Sequence, residues 1–110
     1  MAKAFSETET GCLKDEKLAR YDLIPDDVLR ALAEHYGRGA QKYPPRNWDK
    51  GQEFGKNFAA AQRHLWAWWG GEDTDPENGA PHLVAAAWNI FALLYYAERF
   101  PEYDDRPDHP

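Results

Sequence analysis

The sequence predicts an all-α protein, a small bundle of about three main helices with a long ordered loop, completed by homo-oligomerisation. Two segments, 52–69 and 81–100, repeat their apolar residues with helical spacing. Prolines and glycines cluster in the segment 38–51, which predicts an irregular connection. Aromatic residues make up 15% of only 110 residues, and three helices offer a thin core for so many large side chains. We therefore expect further copies of the chain to cover part of them.

Length and composition limit the classes of function. A chain of 110 residues forms one domain, in which we expect an N-terminal arm over 1–20, a helical domain over 21–100 and an acidic, mobile tail over 101–110. The net charge of −6 argues against nucleic-acid binding. No apolar run is long enough to cross a membrane, Met1–Thr10 does not resemble a signal peptide, and the single cysteine, Cys12, excludes a disulfide framework. We expect a cytoplasmic protein with neither membrane nor nucleic-acid partners.

The first helix is predicted to begin after Pro25. Asp26 and Asp27 then occupy its first turn, where the helix dipole favours carboxylates. We expect Gly37 or Gly39 to end it. Its apolar stripe consists of Val28, Leu29, Leu32 and Tyr36.

The second and third helices are predicted over about Gln52–Trp69 and Pro81–Phe100. Between Leu83 and Ala97, the third helix has no polar side chain except Asn89 and the tyrosine hydroxyls. A helix that is apolar nearly all round is central either in its bundle or in an oligomer. The apolar stripe of the second helix consists of Phe54, Phe58, Ala61, Leu65 and Trp68.

The segment 70–79 is the most informative for function. It holds four carboxylates between two predicted helices, and from His64 to Glu98 no Lys or Arg neutralises them. Like charges in a turn repel, and a bound hard cation relieves that repulsion, since Mg²⁺, Mn²⁺ and Ca²⁺ take oxygen ligands. The alternative is a solvated acidic loop. The four carboxylates are Glu72, Asp73, Asp75 and Glu77.

Histidine and asparagine side chains border the same end of the predicted bundle. His82 lies in the first turn of the third helix, directly after the acidic segment, so it is either a core residue or a metal ligand. Asn89 follows seven residues later on the same stripe, and it needs either structural hydrogen bonds or a ligand's base or sugar. His64 lies seven residues after Asn57 on the edge of the second stripe. Arg63 falls on the far side, where it is solvated or reaches a partner subunit.

The segment 38–51 combines cations with aromatic rings. Arginine and lysine bind phosphate oxygens, and tryptophan or tyrosine stacks on a nucleobase, so the combination favours a phosphorylated, base-containing ligand. The alternative is an ordered loop whose tryptophan packs against the bundle. The side chains concerned are Arg38, Lys42, Arg46 and Lys50, with Tyr43 and Trp48 between them.

Short motifs in a fixed order connect these features to a known family. The motifs are Lys14-Asp15, Arg20-Tyr21-Asp22-Leu23-Ile24-Pro25, Gly39-Ala40, Lys42-Tyr43, Arg46-Asn47-Trp48, Lys50-Gly51, Arg63-His64-Leu65, Gly71-Glu72-Asp73, Asp75-Pro76-Glu77, Pro81-His82-Leu83 and Asn89. With them, residues 14 to about 97 resemble the phage dATP/dGTP diphosphohydrolase family (MazZ-like), which is related to the all-α MazG nucleotide pyrophosphohydrolases. Two features depart from these relatives. Ala85 occupies a position where a second histidine is common, and the Glu-Glu-x-x-Glu motif of MazG proteins is absent.

The resemblance implies an oligomeric, Mg²⁺- or Mn²⁺-dependent enzyme, a dimer or a tetramer, with a MazG-like fold. Such an enzyme splits dGTP or dATP between the α- and β-phosphates into the monophosphate and pyrophosphate. In phages that replace adenine with 2-aminoadenine, the reaction supplies dGMP and drains dATP in the host cytoplasm.

Residue roles are predicted on this basis. Metal ions are assigned to Glu72 and Asp75, with Asp73, Glu77 and His82 as further candidate ligands. Catalysis is assigned to Glu72, Asp75 and His82. Nucleotide binding is assigned to Lys42, Arg46 and Arg63 for the phosphates, to Asn47, Trp48 and Asn89 for the base or sugar, and to His64.

Two other functions remain compatible with the sequence. His64, His82 and the carboxylates also suit a metal-dependent phosphomonoesterase of HD type, which releases orthophosphate and nucleoside. The tryptophan-rich faces suit a non-enzymatic helical module that binds another protein. That module would bind neither Mn²⁺ nor nucleotide.

Overall fold

The computed structural model describes residues 5–7, 9–15 and 17–107, and they are mostly helical. The three helices are α1 (Asp26–Lys42), α2 (Phe54–Trp69) and α3 (His82–Arg99). Short 3₁₀ turns at Tyr21–Leu23, Asn47–Lys50 and Pro101–Tyr103 flank them. The predicted all-α fold with three main helices is confirmed, whereas homo-oligomerisation stays a prediction.

The N-terminal arm contains a short hairpin that the sequence did not predict. Strands β1 (Phe5–Glu7) and β2 (Leu13–Asp15) pair antiparallel, with Phe5 opposite Asp15 and Glu7 opposite Leu13. Residues 1–4, 8 and 16 of the predicted arm lie outside the described part of the chain.

Helix α1 continues past the two glycines that were predicted to end it. The space around Gly37 and Gly39 is open, and neither has a left-handed backbone, so both stay helical. The helix ends instead at Tyr43, which is extended (φ −128°, ψ 164°) because the following Pro44 disfavours helical geometry. The prediction of a helix end at Gly37 or Gly39 was therefore wrong. As a consequence, Arg38 and Lys42 lie one turn apart on α1 rather than in the loop.

Helices α2 and α3 form the centre of the molecule. Small residues let the two helices approach closely, and Phe54 and Tyr96 fill the end of the interface nearest the C-terminus. Polar side chains pair within the same interface, because the Asn57 amide NH₂ donates to Asn89 Oδ1 over 3.1 Å. The buried small residues are Ala61, Ala85, Ala86 and Ala92.

The buried face of α2 differs from the predicted stripe. Asn57 is 1% exposed, whereas Phe58, predicted to be in the core, is 59% exposed. The helix is rotated so that its polar edge faces the polar residues of α3, since a buried asparagine needs a hydrogen-bond partner. Phe58 is thereby left on the outer surface.

The C-terminal segment is held against α2 rather than free. The Asp105 carboxylate accepts a 2.8 Å hydrogen bond from the backbone N–H of Gly55, in the first turn of α2. A Cβ at Gly55 would lie 2.9 Å from that carboxylate, so a larger residue there would displace the Asp105 side chain. The expected mobility of the tail stays a prediction, and residues 108–110 are outside the described structure.

Across the described residues, no helix combines the length and the apolar character that crossing a bilayer requires.

Candidate functional site

The acidic segment starts from a defined helix end. The Glu72 N–H bonds the Ala67 carbonyl and the Gly71 N–H bonds the Trp68 carbonyl, both over 3.0 Å. This is a Schellman motif, which requires a left-handed residue, and Gly71 supplies it with φ 104°. The motif turns the chain sharply, so that Glu72 leaves the end of α2 in a fixed direction.

The loop between α2 and α3 is closed by its own hydrogen bonds. Its two ends pair as an isolated bridge between Thr74 and Pro81, and the His82 N–H donates to the Asp73 carbonyl over 3.0 Å. Asp75 Oδ1 accepts from the Glu77 N–H over 2.9 Å, a local turn that fixes the Asp75 side chain. Asp75 is thus half-buried and directed by backbone contacts rather than by solvent.

Three side chains of the loop and helices converge at this end of the bundle. Each of His64, Asp75 and His82 offers one ligand atom, and these atoms lie within 4.8 Å of one another. The Nδ1 atoms of His64 and His82 are 2.9 Å apart. We call these three residues the His–Asp cluster.

Glu72 contacts the cluster through His82. Its Oε1 lies 2.6 Å from His82 Nε2. Because a carboxylate only accepts, Nε2 carries a proton, which in the tautomer with a single ring proton leaves the Nδ1 lone pair facing His64. A carboxylate behind a histidine in this way orients metal-binding imidazoles.

The surroundings of His64 favour its neutral form. Burial lowers its pKa, and the neighbouring His82 and Arg63 lower it further, although Asp75 opposes them. A neutral imidazole is the form that binds metal.

The donor set of the His–Asp cluster fits a divalent cation. Metal–ligand bonds of about 2.1 Å place adjacent ligands about 3 Å apart and opposite ligands about 4.2 Å apart, comparable with the separations in the cluster. Two nitrogens and a carboxylate oxygen suit a transition ion such as Mn²⁺ better than Mg²⁺, which prefers oxygen alone.

The other two carboxylates of the loop lie outside this group. Asp73 is exposed and contacts His82 through its backbone carbonyl. Glu77 is also exposed, and its Oε1 lies 4.0 Å from Lys42 Nζ. Their assignment as metal ligands stays a prediction, and the geometry of this chain favours Asp75 over both.

A cleft of about 540 Å³ opens between α1 and the segment that follows it. None of the described residues that line it is an aspartate or a glutamate, although the whole chain carries a net charge of −6. The cleft therefore attracts anions. Four cations line it, namely Arg38, Lys42, Arg46 and Lys50.

Aromatic rings form another part of the cleft wall. Trp48 packs edge-on against Tyr95, with ring centres 4.9 Å apart. The Arg46 guanidinium lies 5.4 Å from the centre of the Trp48 ring. Arg46 has a left-handed backbone (φ 62°), uncommon for a residue with a side chain. Trp48 thus packs against the bundle and also lines the cleft. Asn47, predicted for base or sugar contacts, lines it as well.

The cleft and the His–Asp cluster are neighbours. Asn78 of the acidic loop lines the cleft, and the Lys42–Glu77 ion pair joins the same loop to α1. His35, which also lines the cleft, has its pKa lowered by burial, by Arg38 and by the charge of His64 in the cluster. The cationic segment and the acidic loop are therefore close together within one chain.

Three predicted nucleotide-binding residues do not line the cleft, and one of them, His64, belongs to the His–Asp cluster instead. Arg63 is exposed on α2 and acts on the site only through its charge near His64. Asn89 is buried, and its NH₂ donates to the Ala85 carbonyl over 2.9 Å while its Oδ1 accepts from Asn57. Of the two roles open to Asn89, structural hydrogen bonding is the one seen.

Sequence reasoning missed three residues of the cleft. Arg38 was noted only as a charge of the loop, and His35 and Gln52 were not considered. The i, i+3 spacing of His35 and Arg38 was a usable signal, but only once α1 is known to continue through Gly37. Gln52 gave no such signal.

The fold and site define a small all-α protein with a candidate metal cluster beside a cleft lined by cations. Residues 8–106 match the family model described as dATP/dGTP diphosphohydrolase, N-terminal. The chain belongs to this family, as its motifs predicted. The comparisons with curated proteins and with solved structures gave no significant match.

Proposed function

We propose that this protein is a metal-dependent nucleotide pyrophosphohydrolase that converts dGTP and dATP into the monophosphate and pyrophosphate. One observation carries the proposal. A cleft lined by four cations, by aromatic rings and by no carboxylate among the described residues lies next to a cluster of two histidines and an aspartate. The family match to dATP/dGTP diphosphohydrolases supports the same substrates.

The phosphate chain is the part of the substrate that the cations bind. Lys42 and Arg46 are exposed and approach the cleft from different elements. Lys42 pairs with Glu77 of the acidic loop, while Arg46 lies over the Trp48 ring and pairs with Asp49 at 3.3 Å, so a phosphate would share both cations with these exposed pairs. Arginine forms paired hydrogen bonds with phosphate oxygens, whereas lysine acts as a point charge. Together they offset the negative charge of the triphosphate.

The purine is the part that the aromatic wall accepts. Trp48, Tyr43 and Trp88 line the cleft and offer ring faces and edges on which a flat base packs. Asn47 and Gln52 supply amide groups that hydrogen-bond to base edges or to the sugar. A large purine gains more from such stacking than a pyrimidine does.

His64, Asp75 and His82 are the residues that would hold Mn²⁺ or Mg²⁺. A bound ion would neutralise phosphate charge and would lower the pKa of a water at the site, which is the nucleophile that the reaction needs. Glu72 holds the His82 ring by accepting a hydrogen bond from its Nε2–H, so that Nδ1 faces the cluster.

A second copy of the chain completes the fold in this proposal. Large apolar side chains are exposed on both central helices. On α2, Trp66 is 67% and Trp69 is 75% exposed, and on α3, Leu94 is 69% exposed. Helix α3 is therefore apolar on its outer side as well as on its buried side. So much apolar surface is typical of an interface between subunits. Light scattering should give a dimer or a tetramer, and Leu94→Glu should dissociate it, whereas a monomeric wild-type protein would contradict this part.

The cellular role follows from the family resemblance. In a phage that uses 2-aminoadenine, the enzyme supplies dGMP and removes dATP in the host cytoplasm. This role depends on the proposed reaction and on the source of the chain.

The decisive experiment is a product assay. The purified protein is incubated with each of the four deoxynucleoside triphosphates and Mn²⁺, and the products are separated by chromatography. We expect dGMP and dAMP with equimolar pyrophosphate, and little turnover of the pyrimidines. A protein that leaves dGTP and dATP intact, or that releases orthophosphate alone, contradicts the proposal.

The second candidate is a phosphomonoesterase of HD type. The observation that favours it is the His–Asp cluster, which combines two histidines with one aspartate. The same assay separates the two functions when dGMP is added as substrate. Release of orthophosphate and deoxyguanosine from dGMP would support the phosphomonoesterase.

A further inference from the structure

Arg38 has an unsatisfied hydrogen-bond donor beside the cleft. Its Nε is buried and has no hydrogen-bond partner, while its Nη2 lies 3.0 Å from His35 Nδ1. A buried N–H without an acceptor is unfavourable and is rare in folded proteins. Its presence calls for an acceptor that the protein itself does not provide.

Among the described residues, no carboxylate lines the cleft around Arg38. The residues of the cleft wall contribute three further cations and no aspartate or glutamate within the described structure. Arg38 and Lys42 lie one turn apart on α1, so their charges reinforce each other on one side of the cleft. A guanidinium in such a site pairs with an anion from outside.

His35 holds the guanidinium in place as a neutral acceptor. Burial lowers the pKa of His35, and the charge of Arg38 lowers it further. Its ring also packs edge-on against Trp88, with centroids 6.1 Å apart. His35 thus fixes the guanidinium through Nη2 and leaves the Nε–H for an acceptor in the cleft.

We infer that Arg38 is a phosphate-binding residue, whose Nε–H and neighbouring Nη–H donate to oxygens of the phosphate chain in the cleft. The planar edge of a guanidinium matches two phosphate oxygens, and both hydrogen bonds are charge-assisted. The claim that this phosphate chain belongs to a nucleotide rests on the proposed function. The binding of a polyphosphate at Arg38 does not.

The direct test observes the Nε–H group itself. In protein labelled with ¹⁵N at arginine Nε, Arg38 is assigned by the signal that disappears in Arg38→Lys. Addition of inorganic tripolyphosphate in EDTA should shift this signal downfield, and dGTP in EDTA should give the same shift. Orthophosphate should need a much higher concentration, since it offers fewer charges. A signal that stays in place at saturating tripolyphosphate overturns the inference.

Binding measurements on matched variants provide the second test. Arg38→Met should weaken tripolyphosphate binding about 10- to 100-fold in calorimetry, as expected for the loss of charge-assisted hydrogen bonds. Arg30→Met removes an equal charge from an exposed position of the same helix and should leave the affinity unchanged. Equal affinities for Arg38→Met and the wild type refute the inference. If Arg38→Met unfolds, Arg38→Gln replaces it.

The two proposals fail in different ways. A protein that binds tripolyphosphate through Arg38 but does not hydrolyse dGTP supports the inference and contradicts the proposed function. A protein that hydrolyses dGTP while its Arg38 signal and the affinity of Arg38→Met stay unchanged contradicts the inference alone.

Discussion

His64 and His82 meet across the interface of α2 and α3, with their Nδ1 atoms 2.9 Å apart. Two turns away on each helix, Asn57 and Asn89 form a second pair, in which the Asn57 NH₂ donates to Asn89 Oδ1 over 3.1 Å. The interface therefore has two polar pairs with the same seven-residue spacing. The asparagine pair is buried and satisfied within the core, whereas the histidine pair lies at the open end, where Asp75 and Glu72 reach it.

Asp75→Asn should remove metal binding while keeping the loop. The amide oxygen of asparagine still accepts the Glu77 N–H, so the local turn survives. The ligand loses its charge, however, and we expect Mn²⁺ affinity and turnover of dGTP to fall by about 100-fold or more. Calorimetry with Mn²⁺ and then with Mg²⁺ measures the effect, and Mn²⁺ should bind the wild type more tightly.

The matched control for that change is Asp27→Asn, which neutralises an exposed carboxylate in the first turn of α1. It should bind Mn²⁺ like the wild type. Asp73→Asn tests the remaining sequence assignment, and we expect a smaller loss than at Asp75. If Asp75→Asn keeps full Mn²⁺ affinity, the His–Asp cluster is not the metal site.

Glu72→Ala should abolish most of the turnover without unfolding the protein. The Glu72 side chain is 52% exposed, so its removal costs little packing. His82 Nε2–H then loses its acceptor, and the ring is no longer held with Nδ1 towards the cluster. A loss of this kind typically costs about 10- to 100-fold in activity. Turnover rates and thermal melts of Glu72→Ala measure both effects, and a fully active variant would refute the assignment.

Asn89→Leu should destabilise the fold rather than weaken substrate binding. It leaves the buried NH₂ of Asn57 without an acceptor, which costs about 1–3 kcal/mol in the free energy of unfolding. The double variant Asn57→Leu, Asn89→Leu removes both partners and should regain part of that loss. Urea unfolding measures these values. The predicted contact of Asn89 with base or sugar would instead appear as a raised KM for dGTP in the double variant.

The helices could be predicted from the sequence because apolar spacing reports helical faces directly. Their ends and rotations could not be predicted as well. Gly37 and Gly39 suggested a helix end, but an open environment tolerates glycine in a helix, and Pro44 determines the end. The spacing also favoured Phe58 over Asn57 for the core, because periodicity does not show that a partner helix carries a matching polar group.

The acidic loop and His82 could be recognised as neighbours because they adjoin in sequence. The sequence could not show which of the carboxylates turns inward, because the choice depends on hydrogen bonds such as that between the Glu77 N–H and Asp75 Oδ1. His64 was placed near the same end by its position on α2, yet it was assigned to the nucleotide. Its contact with His82 follows from the antiparallel register of two helices, which a single sequence does not give.

Stability should decrease as the pH falls below about 6.5, the ordinary pKa of histidine. The folded protein holds the pKa of His35 below that value, through burial first and then through Arg38 and His64. The unfolded chain therefore binds more protons in this range, and the free energy of unfolding rises with pH. The stability that depends on neutral His35 is complete above about pH 6.5 and is lost as the pH falls through the lowered pKa of the folded state.

Urea unfolding in EDTA at several pH values between about 5 and 8 measures how steeply the free energy of unfolding changes with pH. His35→Gln keeps an acceptor for Arg38 without titrating, so its slope should be smaller than that of the wild type. Equal slopes for the two proteins would show that His35 does not contribute.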